Sequence, residues 1–296
     1  MHSLLTLLSN ADVSGVVAAV GSDVRGFEVG DRIASLTAGF VTGNNDEGAF
    51  QEYSLARAEY TTLLPEDLDY RESAGLPQAT NAAAMALYDA LGLDLPDTAS
   101  TALPELTSSS PIFLVWGAAS SVGAMAVQFA RATGFEVYAV ASAKNHAHLH
   151  SLGASVTADY NDPSAESQLI DAAKKAGKSI LYSLETVGTA EVQERTLKVL
   201  SAAGAKKFGH LLPVAEGVSV PEGISACQTH GDHMLTRRPD LGKWLYGGYL
   251  PKALREGTIK PCLPAQVVEG GLEGLQDAMD LSKNGVSGVK PIVLIT

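Results

Sequence analysis

The sequence predicts an α/β fold built on a doubly wound parallel sheet, preceded by a smaller β-rich unit. Three observations carry that prediction. From residue 111 onward, apolar runs of strand length alternate with runs of helix length. A turn of small residues follows the first of these strands directly and opens a helix. Ahead of the alternating region, short Val- and Gly-rich runs are broken by turn signals, the pattern of a small all-β unit.

Taken in order, DVSGVVAAVGSDV, FEVGDRIASL, GAFQEYSLA and YTTLLP supply the short strands of residues 11–65. Residues 67–93 change character: Ala74, Ala82, Ala83, Ala84, Ala86 and Ala90 make a strong helix former around Pro77, read as a connecting helix. DLPDTASTALPELTSSSP, punctuated by Pro96, Pro104 and Pro111, reads as a linker, and places a domain boundary near residue 108. Next come IFLVW (strand), VGAMAVQFARATG (helix), EVYAVA (strand), HAHLHSLGA (helix), SVTADY (strand), SAESQLIDAAKKAG (helix), ILYSLE (strand), EVQERTLKVLSAAG (helix) and KKFGHLLPV (strand). Such alternation means right-handed βαβ units and a sheet covered on both faces. Beyond residue 230, one helix is expected through LGKWLYGGYLPKALREG, another through GLEGLQDAMDLSKNG, and a final strand in KPIVLIT.

Composition narrows the function. The 296 residues carry 21 Lys plus Arg against 33 Asp plus Glu, a net charge of −12, which leaves little with which to neutralise a nucleic-acid backbone. Two cysteines, Cys227 and Cys262, make neither a disulfide framework nor a four-thiolate zinc site. The uncharged stretch 112–130 has the length of a membrane span, but Gly117, Ser120, Ser121 and Gly123 divide it into strand, turn and helix. MHSLLTLLSN lacks the basic flank and the long apolar core of a signal peptide, so a cytoplasmic location is expected.

The turn is Gly117-Ala118-Ala119-Ser120-Ser121-Val122-Gly123. Small residues at a strand-to-helix junction let backbone N–H groups approach a pyrophosphate at a helix N-terminus, as dinucleotide folds require. The second strand then leads into Ser142, Ala143, Lys144 and Asn145. An NAD site places an acid there for the ribose 2′-hydroxyl. None stands in this tetrad, and Ser142, Lys144 and Asn145 offer donors and a charge suited to a 2′-phosphate, so NADPH is expected over NADH. Tyr160, after the third strand, can close over the adenosine side.

Together, DVSGVVAAVGSDVRGFEVGDRI, GAFQEY, GAASSVG, LGA, DYNDP and GVSGVKPIVLI resemble the medium-chain dehydrogenase/reductase superfamily, in its own motif order and over nearly the whole chain. They look most like its zinc-independent quinone oxidoreductase and fungal trans-acting enoyl reductase branch. The resemblance implies a Rossmann-type NADP-binding domain over residues 108–230. That domain is inserted in a GroES-like substrate domain made of residues 1–107 and 231–296. It puts Gly117, Ala119, Ser120, Ser121, Val122 and Gly123 at the pyrophosphate, and Ser142, Ala143, Lys144, Asn145 and Tyr160 on the adenosine side. Leu211 and Leu212 face the nicotinamide, and Val286 and Ser287 also touch cofactor. Asn81, where the family often has Thr next to Ala82, and the strand Ala226, Cys227, Gln228, Thr229 and His230 lie on the substrate side. The chain departs from the family in three ways: it begins at the glycine-rich DVSG strand, so the family's preceding β segment is expected to be missing; it has Asn81; and the strand-four acid is Glu185, where Asp is commoner.

The implied activity is NADPH-dependent hydride transfer to an activated C=C, an enoyl thioester or enone, in the manner of a trans-acting enoyl reductase serving a polyketide synthase. Two alternatives stand beside it: a quinone oxidoreductase-like NADPH enzyme, and a truncated, non-catalytic nucleotide-binding or scaffolding relative. A homodimer through the strand near Ile224 is implied as well. The cofactor carries the chemistry, so no catalytic acid or base is assigned. A metal is not expected: His146 and His150 share a helical face but lack a third ligand, and residues 1–93 hold no cysteine and only His2. In THGDH, His230 is read as a loop histidine, with proton donation as the alternative; His233 follows it.

Overall fold

The computed structural model describes residues 12–295, so His2 and the MHSLLTLLSN segment lie outside the described residues. The chain packs as two compact units. One takes the chain up to Asn81 and resumes at Asp232; the other is Ala82–Gly231. In packing terms the first division therefore falls at residue 81/82, and residues 82–107 go with the second unit.

In the first unit, β1 (Asp12–Val16), β2 (Arg32–Leu36) and β3 (Thr61–Leu63) form an antiparallel sheet with β2 central. GAFQEY, expected as a strand, is irregular. The Gly48 carbonyl is taken by side chains, accepting from Gln51 Nε2 (2.6 Å) and Ser54 Oγ (2.6 Å), and Gln51 Nε2 also donates to the Asp46 carbonyl just ahead of the segment (2.9 Å).

The second unit is the alternating region. β4 (Ile112–Trp116), β5 (Glu136–Val140), β6 (Ala154–Ala158), β7 (Ile180–Glu185), β8 (Lys207–His210) and β9 (Ser225–Gln228) form a six-stranded, wholly parallel sheet. The order is β6-β5-β4-β7-β8-β9, the doubly wound order of dinucleotide folds, which reverses direction between β4 and β7. All five residues of β4 are buried, as an unbroken IFLVW run requires of a strand covered on both faces. Helices Ser121–Ala132, Ala165–Ala176 and Ala190–Ala202 fall where the sequence expects them; His146–Ser151 is only six residues long. The strand expected through KKFGHLLPV stops at His210, because the His210 ring turns to donate from Nδ1 to the Leu212 carbonyl (2.7 Å).

The C-terminal part returns to the first unit. LGKWLYGGYLPKALREG is not one uniform helix: Pro239–Trp244 and Leu250–Arg255 flank a wider π-turn, Leu245–Tyr249. Pro251 has no N–H to bond residue 247, and the adjacent Gly247 and Gly248 let the backbone widen. β10 (Ala265–Val268) and β11 (Lys290–Val293) pair in parallel around the helix Leu275–Lys283. Lys290 Nζ donates to the largely buried Asp12 carboxylate (2.8 Å), which also accepts the Gln78 N–H (2.6 Å), so a single acid ties β11, β1 and the helix Leu76–Ala84. A cavity of about 1600 Å³ lies within this unit, lined by β1, residues 46–58 and β11.

Candidate nucleotide site

Ligands of open parallel sheets bind beyond the carboxyl ends of the strands, where the strand order reverses. Here that point lies between β4 and β7, with Trp116 opposite Glu185. The chain leaves β4 through Gly117 at φ +78°. A Cβ there would collide with Thr186 and Val187. At Gly123, in the first turn of Ser121–Ala132, a Cβ would strike the Gly117 carbonyl and come within 2.8 Å of Ala118 Cα. Both glycines are therefore required sterically, and the close approach folds the turn down onto the sheet.

Ser120 caps the helix, its Oγ accepting the Gly123 N–H (3.0 Å). It also shares a 3.0 Å bond with Thr186 Oγ1, which donates to the Gly117 carbonyl at 3.0 Å. The Thr186 N–H bonds the Trp116 carbonyl at 3.1 Å. The turn is thus clamped from β7 while the first N–H groups of the helix, at Ser121 and Val122, have no acceptor within the helix. Such a terminus is suited to an anion, the backbone dipole adding to the N–H donors.

On the β5 side, Ser142 leads into a 3₁₀ turn, Ala143–Asn145, closed by Asn145 Nδ2 donating to Ser142 Oγ (3.0 Å). Lys144 is exposed. An acid that the reading of this loop did not weigh lies beside it: the Asp159 carboxyl, following β6, is held below its ordinary range, first by the Asn161 N–H, further by the Asn161 side chain, the Ala143 N–H and His146. Tyr160 is 43% exposed; its carbonyl accepts from Arg195 (2.9 Å), whose guanidinium pairs with Glu166 and lies 5.2 Å over the Trp116 ring. The histidines of this region are tied to the fold. His146 Nε2 meets the Ala141 carbonyl (3.1 Å), while His150 uses Nδ1 on the Ala154 carbonyl (2.8 Å) and Nε2 on Thr157 (3.2 Å).

On the β7 and β8 side the anchoring side chains Glu185 and His210 are buried, while Leu212 is exposed. Glu185 is fully buried; its Oε1 accepts the N–H groups of Val187 and of Gly188 (2.8 Å). Gly188, at φ +85°, packs where only glycine fits beneath the Leu212 side chain. The Leu211 N–H bonds the Glu185 carbonyl (3.2 Å), and His210, 3% exposed and stacked on Phe208, holds the Leu212 carbonyl.

β9, with Ala226, Cys227 and Gln228, is an edge strand three strands from β4, roughly 14 Å away at about 4.8 Å a strand. Burial pushes the Cys227 thiol up, partly offset by Lys207. Thr229 is buried with its N–H on the His210 carbonyl (2.9 Å), and His230 is exposed. Asn81, Val286 and Ser287 belong to the other unit: Asn81 is fully buried in the helix Leu76–Ala84, and Val286 and Ser287 lie between the helix Leu275–Lys283 and β11, with Val286 37% exposed.

The second unit therefore brings together the 117–123 turn, the 142–145 loop, Tyr160, Leu211 and Leu212 along one rim. Sequence reading missed the Thr186 clamp, the His210 anchor and the Asp159 neighbour. The signal for the clamp was the string Glu185-Thr186-Val187-Gly188 ending the fourth parallel strand, which gains meaning only once that strand lies beside the first.

Comparison with known proteins agrees with this architecture. Residues 5–66 match the alcohol dehydrogenase GroES-like domain family, and residues 121–206 match the family described as zinc-binding dehydrogenase. The chain is 33% identical to dehydrogenase azaJ of Aspergillus niger over 98% of its own length and 82% of that protein's. It is 31% identical to trans-enoyl reductase himH of Aspergillus japonicus, covering 96% of this chain and 80% of that one. Among solved structures, CurK enoyl reductase superposes with a TM-score of 0.72 at 20% identity, over 95% of this chain and 77% of the other. The chain belongs to the medium-chain dehydrogenase/reductase superfamily, and is an oxidoreductase with a GroES-like and a Rossmann-type region.

Proposed function

We propose that the protein is an NADPH-dependent, zinc-independent reductase acting on the activated C=C of an enoyl thioester, in trans to a polyketide synthase. The observation that carries this reading is the clamped Gly117–Gly123 turn at the reversal between β4 and β7, with an acid-free loop bearing Lys144 on the neighbouring strand. Support for the substrate class comes from the relatives, among them trans-enoyl reductases of Aspergillus japonicus and Aspergillus flavipes.

The residues present fit a dinucleotide. A Cβ at Gly123 would obstruct the close packing that puts the Ser121 and Val122 N–H groups at the helix mouth. Those N–H groups, with Ala119 and Ser120, would hold the pyrophosphate. Ser142, Lys144 and Asn145 would hold a 2′-phosphate, Tyr160 the adenosine, and the backbone of Leu211 and Leu212 would face the nicotinamide. When bound, the dihydronicotinamide supplies the hydride. The chain's part is to orient, exclude water and hold donors where negative charge develops on the thioester oxygen; solvent supplies the α-carbon proton.

Zinc independence rests on the donor set. Residues 1–93 contain no cysteine and only His2. Cys262 is buried, and burial pushes its thiol up to about 12, with Lys290 and Asp12 as opposing lesser influences. Such a thiol is a poor metal ligand at neutral pH. We further propose that residues 108–230 form the nucleotide domain, that 1–107 with 231–296 form the substrate domain, and that two copies pair along the β9 edge.

The test is NADPH consumption by the purified chain with an enoyl thioester, a simple enone and a quinone in parallel, without added metal. The reading expects turnover highest with the thioester, unchanged by a chelator. Faster turnover with the quinone would favour the quinone reductase alternative. NADPH binding without turnover of any acceptor would favour a non-catalytic relative.

A further inference from the structure

We infer that Glu185 is a positioning residue for the nicotinamide half of the nucleotide, an inference that rests on the reading above. Glu185 is fully buried at the end of β7, and its Oε2 has no hydrogen-bond partner among the described residues. An apolar side chain of the same volume would leave the N–H groups of Val187 and Gly188 without this acceptor.

What the carboxylate does is close a hook. Through Oε1 it gathers the N–H groups of Val187 and Gly188, drawing the chain back on itself directly after the strand. The hook has two outlets. Forward of it stands Thr186, whose hydroxyl bonds the Gly117 carbonyl and Ser120, the N-cap of the pyrophosphate turn. Behind it stands Gly188, seated under Leu212, while the Glu185 carbonyl takes the Leu211 N–H. One buried side chain thus sets the pyrophosphate turn and the 211–212 loop relative to each other. None of its bonds reaches residues 142–145 or Tyr160, which are held by Asn145, Asp159 and Arg195.

The consequence is end-specific. Loss of the hook should weaken the whole dinucleotide and leave an adenosine fragment untouched. The experiment measures Kd for NADPH and for 2′-AMP with the wild type, Glu185→Gln, Glu185→Leu and Thr186→Val. Glu185→Gln keeps an acceptor oxygen for the two N–H groups, and is expected within about twofold of wild type for both ligands. Glu185→Leu is expected to raise the NADPH Kd by about tenfold or more, with 2′-AMP unchanged. Thr186→Val keeps the hook and loses one outlet; it should raise the NADPH Kd by a few-fold only, and it carries the test if Glu185→Leu does not fold.

Equal weakening of both ligands by Glu185→Leu would mean general destabilisation and would overturn the inference, as would a Glu185→Gln as impaired as Glu185→Leu. A wild type that binds while neither Glu185→Leu nor Thr186→Val shifts NADPH overturns the inference alone. A wild type that binds no nicotinamide nucleotide overturns the proposed function with it.

Discussion

The rim of the parallel sheet is built in two ways on its two sides. Beyond β5 and β6, Ala143, Lys144 and Tyr160 are exposed and Ser142 and Asn145 half-buried, the loop being shaped by short local bonds and an acid, Asp159. Beyond β7 and β8 the candidate loop, with Leu212 exposed, is held to the fold by more deeply set anchors: buried Glu185 on two N–H groups, half-buried Thr186 on the glycine turn, buried His210 on the Leu212 carbonyl. The difference matches what the proposed function asks of each side. Recognising a phosphate needs an accessible cation, whose contribution salt can screen. Fixing a reacting ring needs a rigid, dry backbone, because small displacements there are costly in rate. One side is therefore suited to selecting the nucleotide, the other to aligning it.

The comparison breaks most sharply at the junction of the two sides. Gly123→Ala puts a methyl group against the Gly117 carbonyl and Ala118 Cα, backbone atoms that have no rotamer by which to yield. Nucleotide binding should fall by roughly a hundredfold or more, read by calorimetry beside a circular dichroism spectrum. Near-wild-type affinity in a folded variant would show that the turn is not the anion site.

On the exposed side, Lys144→Ala should raise the NADPH Kd about tenfold and leave NADH within about twofold, and the gap should shrink as salt is raised. An equal effect on both nucleotides would remove Lys144 from any role at the 2′-phosphate.

The smallest effect is on stability, in the ion pair that supports the Tyr160 loop. Burial, the largest single influence, raises the Glu166 carboxyl, but the bond from Arg195, a backbone N–H and the charges of Arg195 and Lys198 together outweigh it, and the net effect is a lowered pKa. A carboxyl lowered on folding stabilises at pH values above its unfolded pKa, and that stabilisation is lost as pH falls through the folded value. Glu166→Gln should therefore cost about 1–2 kcal/mol at neutral pH. The difference from wild type should narrow below about pH 4, close to the ordinary glutamate range. Chemical unfolding across pH measures it; a constant difference down to strongly acid pH would mean that the loss is packing, not charge.

What the sequence disclosed and what it concealed divide along physical lines. The parallel sheet was legible because IFLVW, EVYAVA and ILYSLE are apolar throughout, as strands buried on both faces must be, and the helices between them are long enough to cross over. The 117–123 turn was legible because only small residues permit its geometry. GAFQEY was not, because Gln51 and Ser54 both bond the Gly48 carbonyl, and alternation alone does not register that local competition. The π-turn in LYGGYLP depends on a proline after two glycines, which hydrophobic periodicity passes over. Glu185, Thr186 and Asp159 owe their importance to neighbours across the sheet, and their contacts exist only once the strand order is known.

As proposed, the rim of this sheet binds a nicotinamide nucleotide and selects it at the 142–145 loop. The most direct measurement is a calorimetric titration of the wild-type chain with NADPH and with NADH at the same ionic strength. Saturable binding of both is expected, with NADPH tighter by about tenfold or more. Equal affinity, or a preference for NADH, would contradict the selection, and would point to Asp159 as the residue that governs the ribose.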